Sequence, residues 1–384
     1  MLLQYHNQLK IFLFAYFKIC RFEFLPEFTW KPLNSLNSIR LLICPSHLLF
    51  GIFCILWHFF YQMNNYENIL DVSMSIVYFF IAYQSMVIYI GIIGNKRKFV
   101  DIFTYFDVLI FKKSLNISHL REKHLRNNLK LSLLLSKFFL TVLTCMGVVV
   151  VIFNLYRTGF ISPMLFTIPG LSVTSSLYKP LNIIYQVVFY FTIIETVIIS
   201  DVVVMITISY IQGEYSTISD LIAYLDDSST VPNTKNLLEI IYENHRELLS
   251  RVKGVTKIFW HVYFHKLFTI TLYFCGTLVL IQSFDGSILI GIMIIVAMVF
   301  QLFILCYFGQ ILENCSQKVA MDLYLTKWYE MTKSDQSSLL IIMITMQKVV
   351  RIDTFAFGNV SIYTFVQIIK AAASYATILY TVIE

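Results

Sequence analysis

Along this chain, long apolar stretches alternate with shorter ones in which Lys, Arg, Asp and Asn gather. Runs of the length a membrane helix needs, about 20 residues, lie at residues 41–61, 71–93, 131–153, 181–211, 267–283, 287–307 and 357–383. Apolar positions fill each run instead of alternating, which excludes the ten-residue dyad pattern of barrel strands. The pattern predicts an all-α membrane protein with seven transmembrane helices. Two shorter stretches, 99–111 and 339–352, are too short or too interrupted to cross and are expected to extend neighbouring helices on the cytoplasmic side. The stretch 212–265 reads as helices carried out of the membrane, broken where Asp, Ser, Pro and Asn cluster at 226–233.

Basic residues set the orientation, because positive charge is retained in the cytoplasm. One set of gaps holds Lys96, Arg97, Lys98, Lys112, Lys113, Arg121 and Lys123, then Arg246, Arg251, Lys253 and Lys266, then Lys318, Lys327, Lys333 and Lys348. The opposite set holds Arg157 and Lys179. This predicts an inverted topology, with the N-terminus cytoplasmic and the C-terminus extracellular. The Asn-x-Ser/Thr triplets at Asn116, Asn314 and Asn359 fall on the expected inner side, where no glycosylation occurs. The expected segments are an N-terminal cytoplasmic part at 1–40, spans one to four at 41–211, cytoplasmic helices at 212–266, spans five and six at 267–307, a further cytoplasmic section at 308–356 and the last span at 357–384.

Composition agrees, with 58% hydrophobic and 14% charged residues. The net charge of +6 sits in the gaps between runs, so nucleic acid is not an expected partner. The stretch from Ile11 to Cys20 carries Lys18 and lacks a small-residue cleavage site, so it does not read as a signal peptide. The cysteines form no disulfide framework or metal spacing, and no phosphate loop or nucleophile elbow occurs. No cofactor, no metal and no enzymatic activity are expected.

From Ile304 the chain reads Ile-Leu-Cys-Tyr-Phe-Gly309-Gln-Ile-Leu, followed by Ser316, Tyr324 and Trp328-Tyr329. Further on come Gln347-Lys348, Thr364-Phe365, Ile369-Lys370 and Ser374-Tyr375. This resembles the insect odorant receptor family, whose sixth span ends in Cys-Tyr-x-Gly and is followed by a Ser, a Tyr and a Trp-Tyr pair at similar distances. Weaker echoes are Tyr178-Lys179-Pro180, Asp201 and His245. The family usually has an acidic residue or Asn where Gln310 stands and an aromatic where Ala376 stands. Sister gustatory receptors end in a Thr-Tyr, five apolar residues and Gln-Phe, which the segment from Ser374 to Val382 does not reproduce.

The resemblance implies an odorant-binding subunit of a tetrameric, ligand-gated, non-selective cation channel, assembled with a shared co-receptor subunit in the plasma membrane of olfactory sensory neuron dendrites. It implies a pore lined by the seventh helix, and an inter-subunit anchor made by the cytoplasmic parts of spans four to seven. The alternatives are a gustatory-type ligand-gated channel and a seven-helix receptor that signals through a cytoplasmic partner. The expected partners are the co-receptor, membrane lipid, permeating cations and a small volatile apolar ligand.

In the last span Gln367, Lys370, Ser374, Thr377 and Thr381 recur at helical spacing on one face. That stripe faces either a pore or packed helices. Ile378 and Val382 match the family's apolar gate; otherwise they are lipid-facing aliphatics. Tyr324, Trp328 and Tyr329 are read as anchor-interface residues, or as membrane-interface aromatics. Family pockets lie in the outer halves of spans two to five, which singles out Met74, Tyr78 and Phe79, then Thr144, Met146, Gly147 and Phe153, then Tyr185, Phe189 and Thr192, and finally Tyr273, Phe274 and Thr277. Intramembrane Glu195 and Asp201 are each expected to pair with a polar group or to be protonated, Lys137 to snorkel. His245 is read as part of a solvated helix surface.

Overall fold

The structure is a computed structural model that describes residues 2–19, 35–62, 69–111, 117–160, 164, 166–171, 174–226, 234–283 and 288–383. It is helical almost throughout. The elements are α1 (Leu2–Ile19), α2 (Ser35–Trp57), α3 (Ile69–Gly94), α4 (Lys96–Phe111), α5 (Ser118–Arg157), α6 (Tyr178–Ala223), α7 (Thr234–Ser283), α8 (Ile288–Tyr324), α9 (Lys333–Met346) and α10 (Ile362–Ile383), with a two-stranded ribbon of β1 (Asp353–Thr354) and β2 (Gly358–Asn359). Five helices, α2, α3, α5, α6 and α8, are long and apolar enough to cross a membrane. The other two expected spans lie in α7 and α10, which do not meet the same criterion among the described residues.

Helix α6 spans 46 residues, about 69 Å at 1.5 Å per residue, more than twice the ~30 Å of a hydrocarbon core. It is apolar on every side and 78% of its candidate span is buried, as a helix without a polar face must be. Helices α3, α5, α7 and α8 pack around it. Helix α7, at 50 residues, begins as an amphipathic segment. Its Ile241, His245, Leu248 and Val252 are buried, while Glu243 and Glu247 are exposed. His245 therefore lies inside the fold with its ring 6.4 Å from that of Tyr215, and the expected solvated position is corrected.

Three further expectations are revised. Residues 99–111 belong to α4, a separate helix set off from α3 by a turn at Asn95, whose side-chain amide donates to Gly91 O. Residues 339–346 belong to α9, which starts its own turn with Thr332 as cap; the Thr332 hydroxyl accepts from the Asp335 N–H at 3.2 Å. Phe357 sits in the turn of the ribbon, so the last helix starts at Ile362. The N-terminal segment at 1–40, expected as cytoplasmic, begins with helix α1. It buries Leu2, Leu9 and Leu13 and presents His6 between Tyr210 Oη at 2.6 Å and Asp107 at 2.7 Å. Lys10 adds a 2.8 Å bond to the same carboxylate. Burial pushes the Asp107 carboxyl up, yet the bonds from His6 and Lys10 hold it below its ordinary value.

Candidate functional site

A cavity of about 150 Å³ lies among α3, α5, α6, α7 and α8. Its wall is mostly aliphatic and thioether, with Val77 and Ile81 from α3, Leu143 and Met146 from α5, Ile194 and Val197 from α6, and Met293 and Met298 from α8. Gly147 faces α6 there. A Cβ on it would stand 3.1 Å from Ile194 Cδ1 and 3.5 Å from Tyr190, so any side chain takes space from the cavity or pushes α5 off α6. The polar lining comes from the tyrosines Tyr78, Tyr190 and Tyr273 and from Gln84 and Gln301. Such a site suits a small, weakly polar guest.

Of the expected ligand residues, Tyr78, Met146, Gly147 and Tyr273 line this cavity. Tyr78 accepts a bond from the Asn154 amide, which fixes its ring. The others stand elsewhere. Tyr185 and Phe189 stack on each other and meet the His47 ring edge-on at 5.3 and 5.5 Å, forming an aromatic group between α6 and α2. Phe274 joins Cys275 and Ala372 in a small apolar cluster between α7 and α10. Thr192 and Thr277 spend their hydroxyls on Val188 O and Tyr273 O of their own helices. Phe79 and Phe153 pack half-buried against the main core, and the Thr144 hydroxyl is buried without a hydrogen-bond partner among the described residues. The Met74 side chain lies outside the described residues.

Sequence reasoning missed the wall that α8 supplies and both glutamines. A signal for the glutamines was present: an amide inside an apolar run is costly unless it finds a partner. The expectation had weighed only ionisable groups.

Gln301 links the cavity to a buried ion pair. Its amide donates to Asp201 Oδ2 at 2.8 Å, and the Lys266 ammonium donates to Asp201 Oδ1 and, at 3.4 Å, to Val197 O. Val197 and Gln301 both line the cavity, so its floor is in direct contact with the pair. Asp201 and Lys266 are 3% and 1% exposed. Lys266, assigned from sequence to a cytoplasmic gap, is thus held against α6 by the continuous helix α7. Glu195 differs: one of its carboxylate oxygens is buried with no hydrogen-bond partner among the described residues. Further along α6, Arg121 makes a bidentate pair with Glu214 at 2.7 and 3.0 Å, His124 meets Asp220 at 2.7 Å, and Ser219 donates to Asp322. These bonds join α5, α6 and α8 beyond the cavity.

On α10, Ile368, Ala372 and Ala376 are buried against the bundle, whereas Gln367, Lys370, Ser374, Thr377, Ile378 and Thr381 are exposed. The Ser374, Thr377 and Thr381 hydroxyls donate to Lys370 O, Ala373 O and Ile378 O within the helix. Val382's side chain lies outside the described residues, and Lys137 on α5 is exposed. Tyr324, Trp328 and Tyr329 stand out at 58%, 40% and 64% exposure, beyond the end of the apolar part of α8. Among the described residues no group of His, Cys, Asp and Glu converges to hold a metal ion.

Comparison with known proteins places these features in context. The profile of the 7tm Odorant receptor family matches residues 68–373. Odorant receptor 82a of Drosophila melanogaster is 27% identical over 205 residues, which cover 51% of this chain and 53% of that protein; the chain thus matches about half the length of this curated relative. The insect olfactory receptor OR5 from Machilis hrabei, solved in complex with eugenol, superposes with a TM-score of 0.77 at 14% identity over 98% of this chain and 99% of that one. A second structure of the same receptor gives 0.74 at 15% identity over the same shares. At these identities the superposition establishes a shared fold.

Proposed function

Because the chain belongs to the insect odorant receptor family, we propose that it is the odorant-binding subunit of a heteromeric, ligand-gated, non-selective cation channel. The observation that carries this reading is the 150 Å³ cavity, apolar but for two amides and three phenols, enclosed by α3, α5, α6, α7 and α8. It sits in a fold shared along nearly the whole chain with a receptor solved with the small aromatic eugenol. A guest in it touches five helices at once and so favours whichever arrangement of them encloses it best.

In this reading seven helices cross the membrane, α2, α3, α5, α6, α7, α8 and α10, with α1 in the cytoplasm and the end of α10 outside. The exposed face of α10 supports a pore role, since polar side chains on a membrane helix seek water or other helices. Gln367, Ser374 and Thr381 line the conduit, and Ile378 with Val382 forms a dewetting constriction at its outer end. The exposed aromatics Tyr324, Trp328 and Tyr329 join subunits in the cytoplasm, where large aromatics make effective interface anchors. The partner is the family's co-receptor subunit, in the plasma membrane of olfactory neuron dendrites.

The testing experiment records current in outside-out patches from cells expressing this chain, the co-receptor or both, during pulses of volatile apolar compounds with no nucleotide in the pipette. The expected result is a fast cation current that needs both chains and whose ligand profile follows this one. A response that disappears without GTP, or no ligand-evoked current with both chains at the surface, supports instead a receptor acting through a cytoplasmic partner.

A further inference from the structure

The cavity wall holds two polar side chains whose hydrogen-bonding capacity is unfilled. Gln84 is 2% exposed; its carbonyl accepts from the Thr269 hydroxyl at 2.8 Å, while its Nε2 has no partner among the described residues. Tyr273, 6% exposed, has a phenol hydroxyl equally without a partner among the described residues. Both residues line the cavity and neither polar atom is open to water. A buried donor left unmade is costly, so a guest that supplies an acceptor recovers what the bare wall lacks. The phenol hydrogen makes this demand whichever way round the Gln84 amide lies.

Charge narrows the guest further. The oxygens of Asp201, the carboxylate behind the lining residue Gln301, are taken by Lys266 and Gln301. No free counter-charge is then offered to an ammonium or carboxylate guest. The volume is that of a cavity that holds a benzene-sized molecule, about six to ten non-hydrogen atoms.

We propose that this cavity selects small neutral molecules bearing a hydrogen-bond-acceptor oxygen, such as ketones, aldehydes and esters, over hydrocarbons of the same shape, with Tyr273 and Gln84 reading the oxygen. This rests on the cavity being the ligand site, and the experiment separates the two claims.

The experiment compares shape-matched pairs in which C=O is replaced by C=CH2: acetophenone with α-methylstyrene, and heptan-2-one with 2-methylhept-1-ene. Two readouts are taken, evoked current from this chain with its co-receptor and the melting shift of the purified full-length complex. The ketone is expected to act at about tenfold lower concentration, the factor that goes with one hydrogen bond. Tyr273→Phe and Gln84→Leu should each shrink that ratio, the ketone losing more than the alkene. Equal potency within pairs overturns the proposal, as does a ketone preference that survives the double substitution, or no binding by any of the four compounds. Gly147→Phe, which fills the cavity, is the control. If it abolishes responses to ligands that show no oxygen preference, the cavity remains the ligand site and only the selectivity claim falls. If it leaves all responses intact, the cavity is not the ligand site and both claims fall.

Discussion

Helices α6 and α10 arise from the same kind of apolar run, yet the fold uses them in opposite ways. On α6 most side chains are buried, and the buried acids Asp201 and Glu214 find partners on other helices of the same chain. On α10 one face is sealed by Ala372 and Ala376 while Gln367, Ser374 and Thr381 turn away from the bundle, the Ser374 and Thr381 hydroxyls donating to their own helix backbone. A single chain thus pairs Asp201 and Glu214 of α6, leaves one oxygen of Glu195 unpartnered among the described residues, and turns the polar face of α10 outward. On the proposed reading, the exposed face of α10 is the surface that serves conduction and assembly.

The largest expected effect breaks the α6 side. Lys266→Met strands a buried carboxylate, for a loss of about 3–5 kcal/mol; it should abolish surface expression, and Asp201→Asn in the same chain should restore much of it, measured by surface labelling. Acid should act on the α7 contact to α6. Burial, with a smaller contribution from Lys253, lowers the His245 pKa from 6.5 to about 4. The ring is neutral in folded and unfolded chains above about pH 6.5, so nothing is lost there. As pH falls toward 4 only the unfolded chain takes up the proton, and stability declines by at most about 3 kcal/mol. Melts of the purified protein between pH 7 and 4 should show the decline, and His245→Leu should flatten it. Gly309→Ala is expected to cost about 1–3 kcal/mol, because the new Cβ meets the Val360 backbone carbonyl, which cannot swing aside; a lowered melting temperature checks this. Smallest for the fold are Ser374→Ala and Thr381→Ala, within about 0.5 kcal/mol. Single-channel recording should nonetheless find their conductance or ion preference changed.

The same contrast explains what could be read before the fold was seen. Five of the expected membrane-helix runs were legible because 3.6-residue geometry and lipid both act locally, and so was the exposed polar stripe of α10. The C-terminal motif was legible as a resemblance, and the structure supplies physical reasons for it: Gly309 admits the Val360 backbone, and the Ser316 hydroxyl accepts from the Val350 N–H at 3.0 Å. Helix α1 was not legible, since its His6 is held by Asp107 and Tyr210, distant in sequence. Lys266 looked like a gap residue because charge counting cannot see that α7 runs on without a break past Asp201. The α8 wall of the cavity was missed for a related reason. Met293, Ala297 and Met298 carry no local mark, and only the packing of α8 on α6 turns them toward the space.

The most direct test of the contrast is cysteine accessibility along α10 during ligand-evoked current. Cysteines placed at Gln367, Ser374, Ile378 and Thr381 are expected to let a charged thiol reagent block the current, faster with ligand present at the positions inward of Ile378, while cysteines at Ala372 and Ala376 stay unreactive. Block at Ala372 and Ala376 with none at the four exposed positions would contradict the assignment of the pore to this face of α10.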